Sequence, residues 1–381
     1  MVKVFICGDI VNYQKNDGLI CSGSLAKVVA EADYSICNFE APIEGFGEPQ
    51  PKSGPHHYQK KSTINGLKEQ GFNLLCMANN HIMDFGTVGL MGTINEAKKL
   101  GMETIGAGVN FEQAYKPIIK SIGDIKLGII NACEAQFGVI DYFSGLEQSG
   151  YAWINHSFID KQIIKLKKEC DFVIVLAHAG LEHYNIPQKE WRWRYKHFCD
   201  LGADAIIGSH PHVPQGFENY NDSLIFYSLG NFYFDSKNFI NKEDRSYSIV
   251  LRLEKNKKMN FEPVFHHKEQ GIVQLSMQEK QIDFKILNSN LDNDYEKLHD
   301  QMSLTVYRKK IKPKYTFSLL HFPFDGTIKS SLKRILATIV GKQKKKDKDT
   351  LALHLLRNES YYFAAKHALE LVFKDKYGGN K

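Results

Sequence analysis

The chain has 381 residues, enough for two domains or one large domain with an appendage. Hydrophobic residues make up 43% and charged residues 24%, an ordinary globular balance, and no run of 18 or more apolar residues offers a membrane span. Net charge is +6, but residues from 290 onward carry +9 and those before them −3, which argues against the main part as a nucleic-acid binder.

The first stretch, VKVFIC (2–7), reads as a β-strand. Asp9 follows too early for a signal peptide, so a cytoplasmic location is expected, with membrane contact at most peripheral. Further strands are expected at YSICNF (34–39), FNLLCMA (72–78), KLGIINA (126–132), DFVIVLA (171–177), DAIIG (204–208), LIFYSL (224–229) and SYSIVLRL (246–253). Most are short, β-branched and apolar on both faces, as strands covered by helices should be. Helices are expected between them at 22–32, 62–70, 87–100, 157–169 and 188–201. In the third, Leu90, Ile94, Ala97 and Leu100 recur at helical spacing and Gly101 supplies a stop. The alternation implies a layered α/β fold. The strands from about 224 to 275 have less helix between them and form either an antiparallel edge or a second sheet.

Residues 43–62, rich in Pro and Gly and containing His56-His57, read as a long loop. The expected division is a main domain over 1–289 and a basic, mainly helical extension over 290–381. In the extension, LKRILATIV (332–340) and LALHLLRNESYYFAAKHALELVF (351–373) read as helices around a charged linker, GKQKKKDKD (341–349). That linker, with Lys344-Lys345-Lys346, could touch an anionic membrane surface or polymer. The seven cysteines show no CxxC and several lie in apolar runs, so buried free thiols are expected.

The polar residues gather where strands end. Gly8-Asp9, Asn38-Phe39-Glu40, Asn79-Asn80-His81, His178 through His183, Ser209-His210-Pro211-His212 and Gly230-Asn231 each follow an apolar run. Open α/β sheets bind ligands at the carboxyl ends of their strands. If these strands are parallel neighbours, the residues converge at one sheet edge. Asp9, Glu40, Asn80, His178, His210 and His212 are oxygen and nitrogen ligands suited to Mn²⁺, Fe²⁺ or Zn²⁺. Six exceed the needs of one tetrahedral ion and suit two ions about 3.5–4 Å apart that share a carboxylate. Singly, Asp9 and Glu40 could be helix caps and Asn80 a turn residue. His183, His197, His266 and His267 fall outside the pattern and read as surface or structural.

The fragments GDI (8–10), NFEAPI (38–43), ANNHIMDFG (78–86), HAGLEHY (178–184), GADAIIGSHPHVPQGFE (202–218) and YSLGNFYFD (227–235) resemble the poly-gamma-glutamate synthesis (CapA) family of the calcineurin-like metallophosphoesterase superfamily. The resemblance runs in order from residue 1 to about 255. It implies a four-layered α/β/β/α sandwich and one or two divalent metal ions, Mn, Fe or Zn. It implies Asp9, Glu40, Asn80, His178, His210 and His212 as metal ligands, with Glu40 at the bridging position. His81 would donate a proton, and a metal-bound hydroxide would attack a phosphoester. Asp84 could orient His81 or cap the next helix. Glu182 and Asn231 could line the pocket or serve turns. Two departures stand out: Val11 occupies the third position of an Asp-x-His motif, which leaves one metal site a ligand short, and Ala179 stands where the family often has Trp. The substrate implied is a phosphoester or an anionic polymer. Two other functions stay open, a non-hydrolytic metal-binding accessory of polymer synthesis and a di-metal amide hydrolase acting on the polymer.

Overall fold

The protein was analysed as a computed structural model, which describes residues 1–235, 244–292, 294–319 and 348–377, with Ile328, Lys329, Leu332 and Leu336. Most of the helix expected at 332–340 and most of the charged linker lie outside the described residues. Contacts divide the chain into two compact units, residues 1–50 with 56–293, and 51–55 with 294–381.

The first unit opens with β1 (Val2–Val11), α1 (Gly23–Ala30), β2 (Tyr34–Phe39), α2 (Ser62–Glu69), β3 (Leu74–Cys76), α3 (Gly86–Lys99) and β4 (Glu103–Ile105). It continues with β5 (Ala107–Gly108), α4 (Phe111–Tyr115), β6 (Ile118–Ile122), β7 (Ile125–Cys133), β8 (Val139–Ile140) and β9 (Gly150–Ala152). Next come α5 (Ser157–Glu169), β10 (Phe172–His178), α6 (Lys189–Asp200), β11 (Ala205–Ser209), β12 (Phe217–Tyr220) and β13 (Ser223–Phe226). It ends with β14 (Asn231–Phe234), β15 (Asp244–Leu253), β16 (Asn260–Glu269), β17 (Ile272–Leu275) and α7 (Phe284–Asp292).

Two large sheets result. One has the order β17-β16-β15-β1-β2-β3-β4, with β14 also paired to β1; the other runs β12-β13-β11-β10-β7-β6. β1, β2, β3 and β4 are mutually parallel, as are β7, β10, β11 and β13. The period of two along each strand divides its side chains between two cores. From β1, Val4 and Ile6 join Ile36, Leu74, Leu127, Ile129, Ile174 and Ile207 in the layer between the sheets. Phe5 and Cys7 face the opposite way, onto Leu25, Val29, Leu67 and Leu90 of the helices. α5 covers β7 and β10, and α6 covers β11. The order of layers is therefore α/β/β/α.

The strands from 224 to 275 divide between the two expected arrangements. β13 ends at Phe226 and belongs to the second sheet, whereas β15, β16 and β17 return to the first as an antiparallel edge beside β1. The second sheet is built from the middle of the chain. The five expected helices of this unit all form, and Gly101 ends α3 with φ +71°. All seven cysteines are free thiols, six of them buried and Cys170 partly so. No described helix is long and apolar enough to cross a membrane.

The second unit contains α8 (Tyr295–Val306), a π-helical turn over Tyr307–Ile311, α9 (Lys312–Leu319), α10 (Lys348–Arg357) and α11 (Glu359–Tyr377). The single helix expected over 351–373 is two. Asn358 breaks it, and its Oδ1 accepts the Tyr361 N–H at 2.7 Å.

Candidate metal centre

The convergence expected at one sheet edge takes place between two. Asp9, Glu40 and Asn80 come from the carboxyl ends of β1, β2 and β3, and His178 and His210 from those of β10 and β11. Crossover helices keep these strands parallel, so their ends share one rim of the sandwich. β1 is shaped for its task. It pairs with β15 over Val2–Ile6, then its register with β2 shifts between Cys7 and Asp9, and from Asp9 it runs beside β14. The shift falls on Gly8, where an added Cβ would lie 1.9 Å from the Gly230 carbonyl oxygen. A bulge of this kind re-aims the next side chain, here Asp9.

Two sets of ligand atoms share Glu40. One comprises Glu40, His178 and His210, the other Asp9, Glu40 and His212, and within each set the atoms lie within 4.8 Å of one another. His178 Nε2 is 3.0 Å from His210 Nδ1, 3.1 Å from Asn80 Oδ1 and 3.7 Å from Glu40 Oε1. Asp9 Oδ2 is 3.3 Å from His212 Nδ1. His210 and His212 thus fall in different sets, and Pro211 holds them apart. Both take left-handed backbone conformations, φ +95° and +59°. Such φ values are uncommon outside glycine and cost energy.

The residues fit divalent ions. Glu40 is fully buried, and neither of its carboxylate oxygens has a hydrogen-bond partner among the described residues; His178 Nε2 and His212 Nε2 each stand 3.7 Å from its Oε1. Burial, and then the neighbouring Asp9 carboxylate, push its carboxyl well above the usual range, only partly offset by His212. A buried anion without a donor is costly unless a cation joins it. Burial, reinforced by His210, His212 and His81, holds His178 well below its ordinary value, and burial draws His210 down to about 4. Both rings are therefore neutral at pH 7, with lone pairs available for a metal. His212 behaves oppositely: burial would lower it, but Glu40, Asp9 and Glu182 together raise it to about 10.

His81 stands beside this set. Its Nδ1 is 2.7 Å from Asp84 Oδ2, which also accepts the His57 backbone N–H at 2.6 Å. α3 starts at Gly86 and Phe85 is the residue at its N-cap, so Asp84 does not cap it. Asn231 Oδ1 is 3.0 Å from His212 Nδ1, and its Nδ2 donates to Asp244. Glu182 is half-buried and raises His210 and His212 electrostatically. Val11 is buried and contributes no ligand. His183 is exposed, its ring 6.0 Å from that of His212, while His266 and His267 are buried in β16 away from the centre.

Three participants were given no role at the centre by the sequence reading. Asn38 Nδ2 donates to Asp9 Oδ1 at 2.8 Å and lies 3.2 Å from His178 Nδ1. Glu134, just past β7, is 3.6 Å from His210 Nε2 and accepts the Gly180 N–H. His57, from the long loop, packs against His81 with ring centroids 4.1 Å apart, and its Nδ1 meets the Tyr13 hydroxyl. Glu134 obeys the same strand-end rule as the others, one residue later than expected.

A family model described as bacterial capsule synthesis protein PGA_cap matches residues 4–236, and the chain belongs to that family. The capsule biosynthesis protein CapA of Bacillus anthracis is 34% identical over 211 residues, 54% of this chain and 51% of that protein. The PGA biosynthesis protein CapA of Bacillus subtilis (strain 168) is 33% identical over 209 residues, 54% of each chain. The chain thus spans about half the length of the curated relatives it matches. A solved structure described as a phosphatase from Mycoplasma pneumoniae covers 75% of this chain and 98% of its own at a TM-score of 0.45 and 19% identity.

Proposed function

We propose that this protein is a metal-dependent hydrolase of phosphoesterase type that acts in the synthesis of an anionic capsule polymer. The observation that carries the reading is Glu40, a buried carboxylate without hydrogen-bond partners among the described residues, shared between two ligand sets. Asn80, His178, His210 and Glu40 would hold one divalent ion, and Asp9, His212 and Glu40 a second, less fully ligated one. When bound, such ions supply Lewis acidity toward a phosphoryl oxygen and acidify a water for attack.

The chain's own residues do the rest. Asp84 accepts from His81 Nδ1 and so fixes the ring. The proton to be given to the leaving oxygen is then carried on the opposite nitrogen, Nε2. General acid help of this kind contributes about 10²–10⁴-fold. Asn231 orients His212 through its Oδ1, and the Glu182 carboxylate adds negative potential at His210 and His212.

The test is Mn²⁺-dependent hydrolysis of an aryl phosphodiester by wild type and His81→Ala, with bound metal measured in both. Turnover lost in the variant, with metal retained, is the expected result. Equal turnover in the two would remove His81 from the mechanism. No turnover in wild type, with metal bound, would favour a non-hydrolytic accessory role or amide hydrolysis, and polyglutamate would be the next ligand offered.

A further inference from the structure

The second unit holds a side-chain cluster for which the reading above has no use. We propose that His299, Asp300 and His367 form a separate site for a first-row divalent ion of the Zn²⁺ class, tying α8 to α11. His299 and Asp300 are consecutive in α8 and His367 lies in α11. One ligand atom from each lies within 4.8 Å of the other two. Asp300 Oδ1 is 2.6 Å from His367 Nε2, and the rings of His299 and His367 meet edge to face with centroids 4.6 Å apart. His299 and His367 are buried, whereas the Asp300 side chain is 38% exposed and leaves a path from solvent.

An ion pair needs only Asp300 and His367. The second imidazole, buried against the first, supplies the third donor. Two imidazoles and a carboxylate, with water completing the shell, make a Zn²⁺ donor set; Ca²⁺ and Mg²⁺ call for more oxygen. Donor atoms around tetrahedral zinc are about 3.4 Å apart, so the observed spacing needs side-chain rotation rather than backbone movement. Ser303 lies one turn along α8 from His299; it is fully buried, and its hydroxyl has no hydrogen-bond partner among the described residues. That leaves a further polar atom on the same face of the helix. Asp300 and His367 are 67 residues apart in sequence, so an ion there would close a long loop in a small helical unit.

The test uses the full chain, stripped with a chelator, loaded with Zn²⁺, desalted and assayed for metal per protein. Wild type is compared with His367→Gln and with Asp300→Ala, the latter at a partly exposed position that removes the carboxylate and leaves both buried rings in place. Each variant should hold one equivalent of Zn²⁺ less than wild type, with the helix content seen by circular dichroism unchanged. In a His178→Ala background, where the first unit has lost a ligand, Asp300→Ala should still remove one further equivalent. Wild-type stoichiometry in either folded variant overturns the proposal, as does equal stoichiometry in His178→Ala and in His178→Ala with Asp300→Ala. If His367→Gln fails to fold, Asp300→Ala decides.

Discussion

Asn38 touches two of the proposed ligand residues at once and is not among them. Its amide steadies the Asp9 carboxylate and faces the His178 nitrogen turned away from the centre. Partners of this kind tune affinity nearly as strongly as the ligands do. Asn38→Ala should weaken Mn²⁺ binding about 10–100-fold in a direct titration; unchanged affinity would mean that the bond to Asp9 is incidental. Asp84→Asn keeps the size of the side chain and removes its charge. It should lower kcat about 10²-fold or more while bound metal stays constant, and a loss confined to metal content would reassign Asp84 to folding. At this scale much of the centre was legible. Asp9, Glu40, Asn80, His178 and His210 each follow an apolar run, and a polar group at a strand end stands out. Asn38 was quoted beside Glu40 but given no role, because it lies inside β2 and meets Asp9 where the register shifts at Gly8. His57 was hidden in a loop whose path no periodicity records.

Among the elements, β1 concentrates the consequences. Gly8 faces the Gly230 carbonyl so closely that Gly8→Ala must force the strands apart. A destabilisation of about 1–3 kcal/mol is expected from urea unfolding, with metal binding weakened as well because Asp9 moves. An unchanged midpoint would show that the strands yield freely. On the neighbouring edge, His266 of β16 packs edge-on against Phe232 and bonds Ser248. Burial draws its ring from 6.5 down to about 3. The folded state therefore keeps it neutral, so its contribution is complete above pH 6.5 and is lost as pH falls toward 3. Between pH 7 and pH 4.5 wild type should lose about 2–3 kcal/mol that His266→Gln keeps; parallel losses in the two proteins would exclude His266 as the source. The helices of the first unit were legible because their apolar period is unmistakable. The destination of the late strands was not, since a strand's own sequence does not name its neighbour. The break at Asn358 was likewise masked by apolar residues that continue in phase on both sides of it.

Across the whole molecule, charge divides as the contacts do. The C-terminal residues carry the positive excess, and the part with the candidate metal centre is slightly acidic. If the basic segment contacts an anionic polymer, wild type should bind polyglutamate in a manner that weakens severalfold between about 50 and about 300 mM salt. Replacing Lys344, Lys345 and Lys346 with Gln should flatten that dependence. An identical salt profile in the two proteins would place the contact elsewhere.

The left-handed backbone at His210 carries a further consequence. A conformation that glycine adopts freely is imposed there on an imidazole, at a cost of about 1–3 kcal/mol. A population selected only for heat tolerance would therefore drift toward glycine at that position and gain robustness while abandoning its chemistry. Persistence of histidine under such selection would be a record that the centre is still in use.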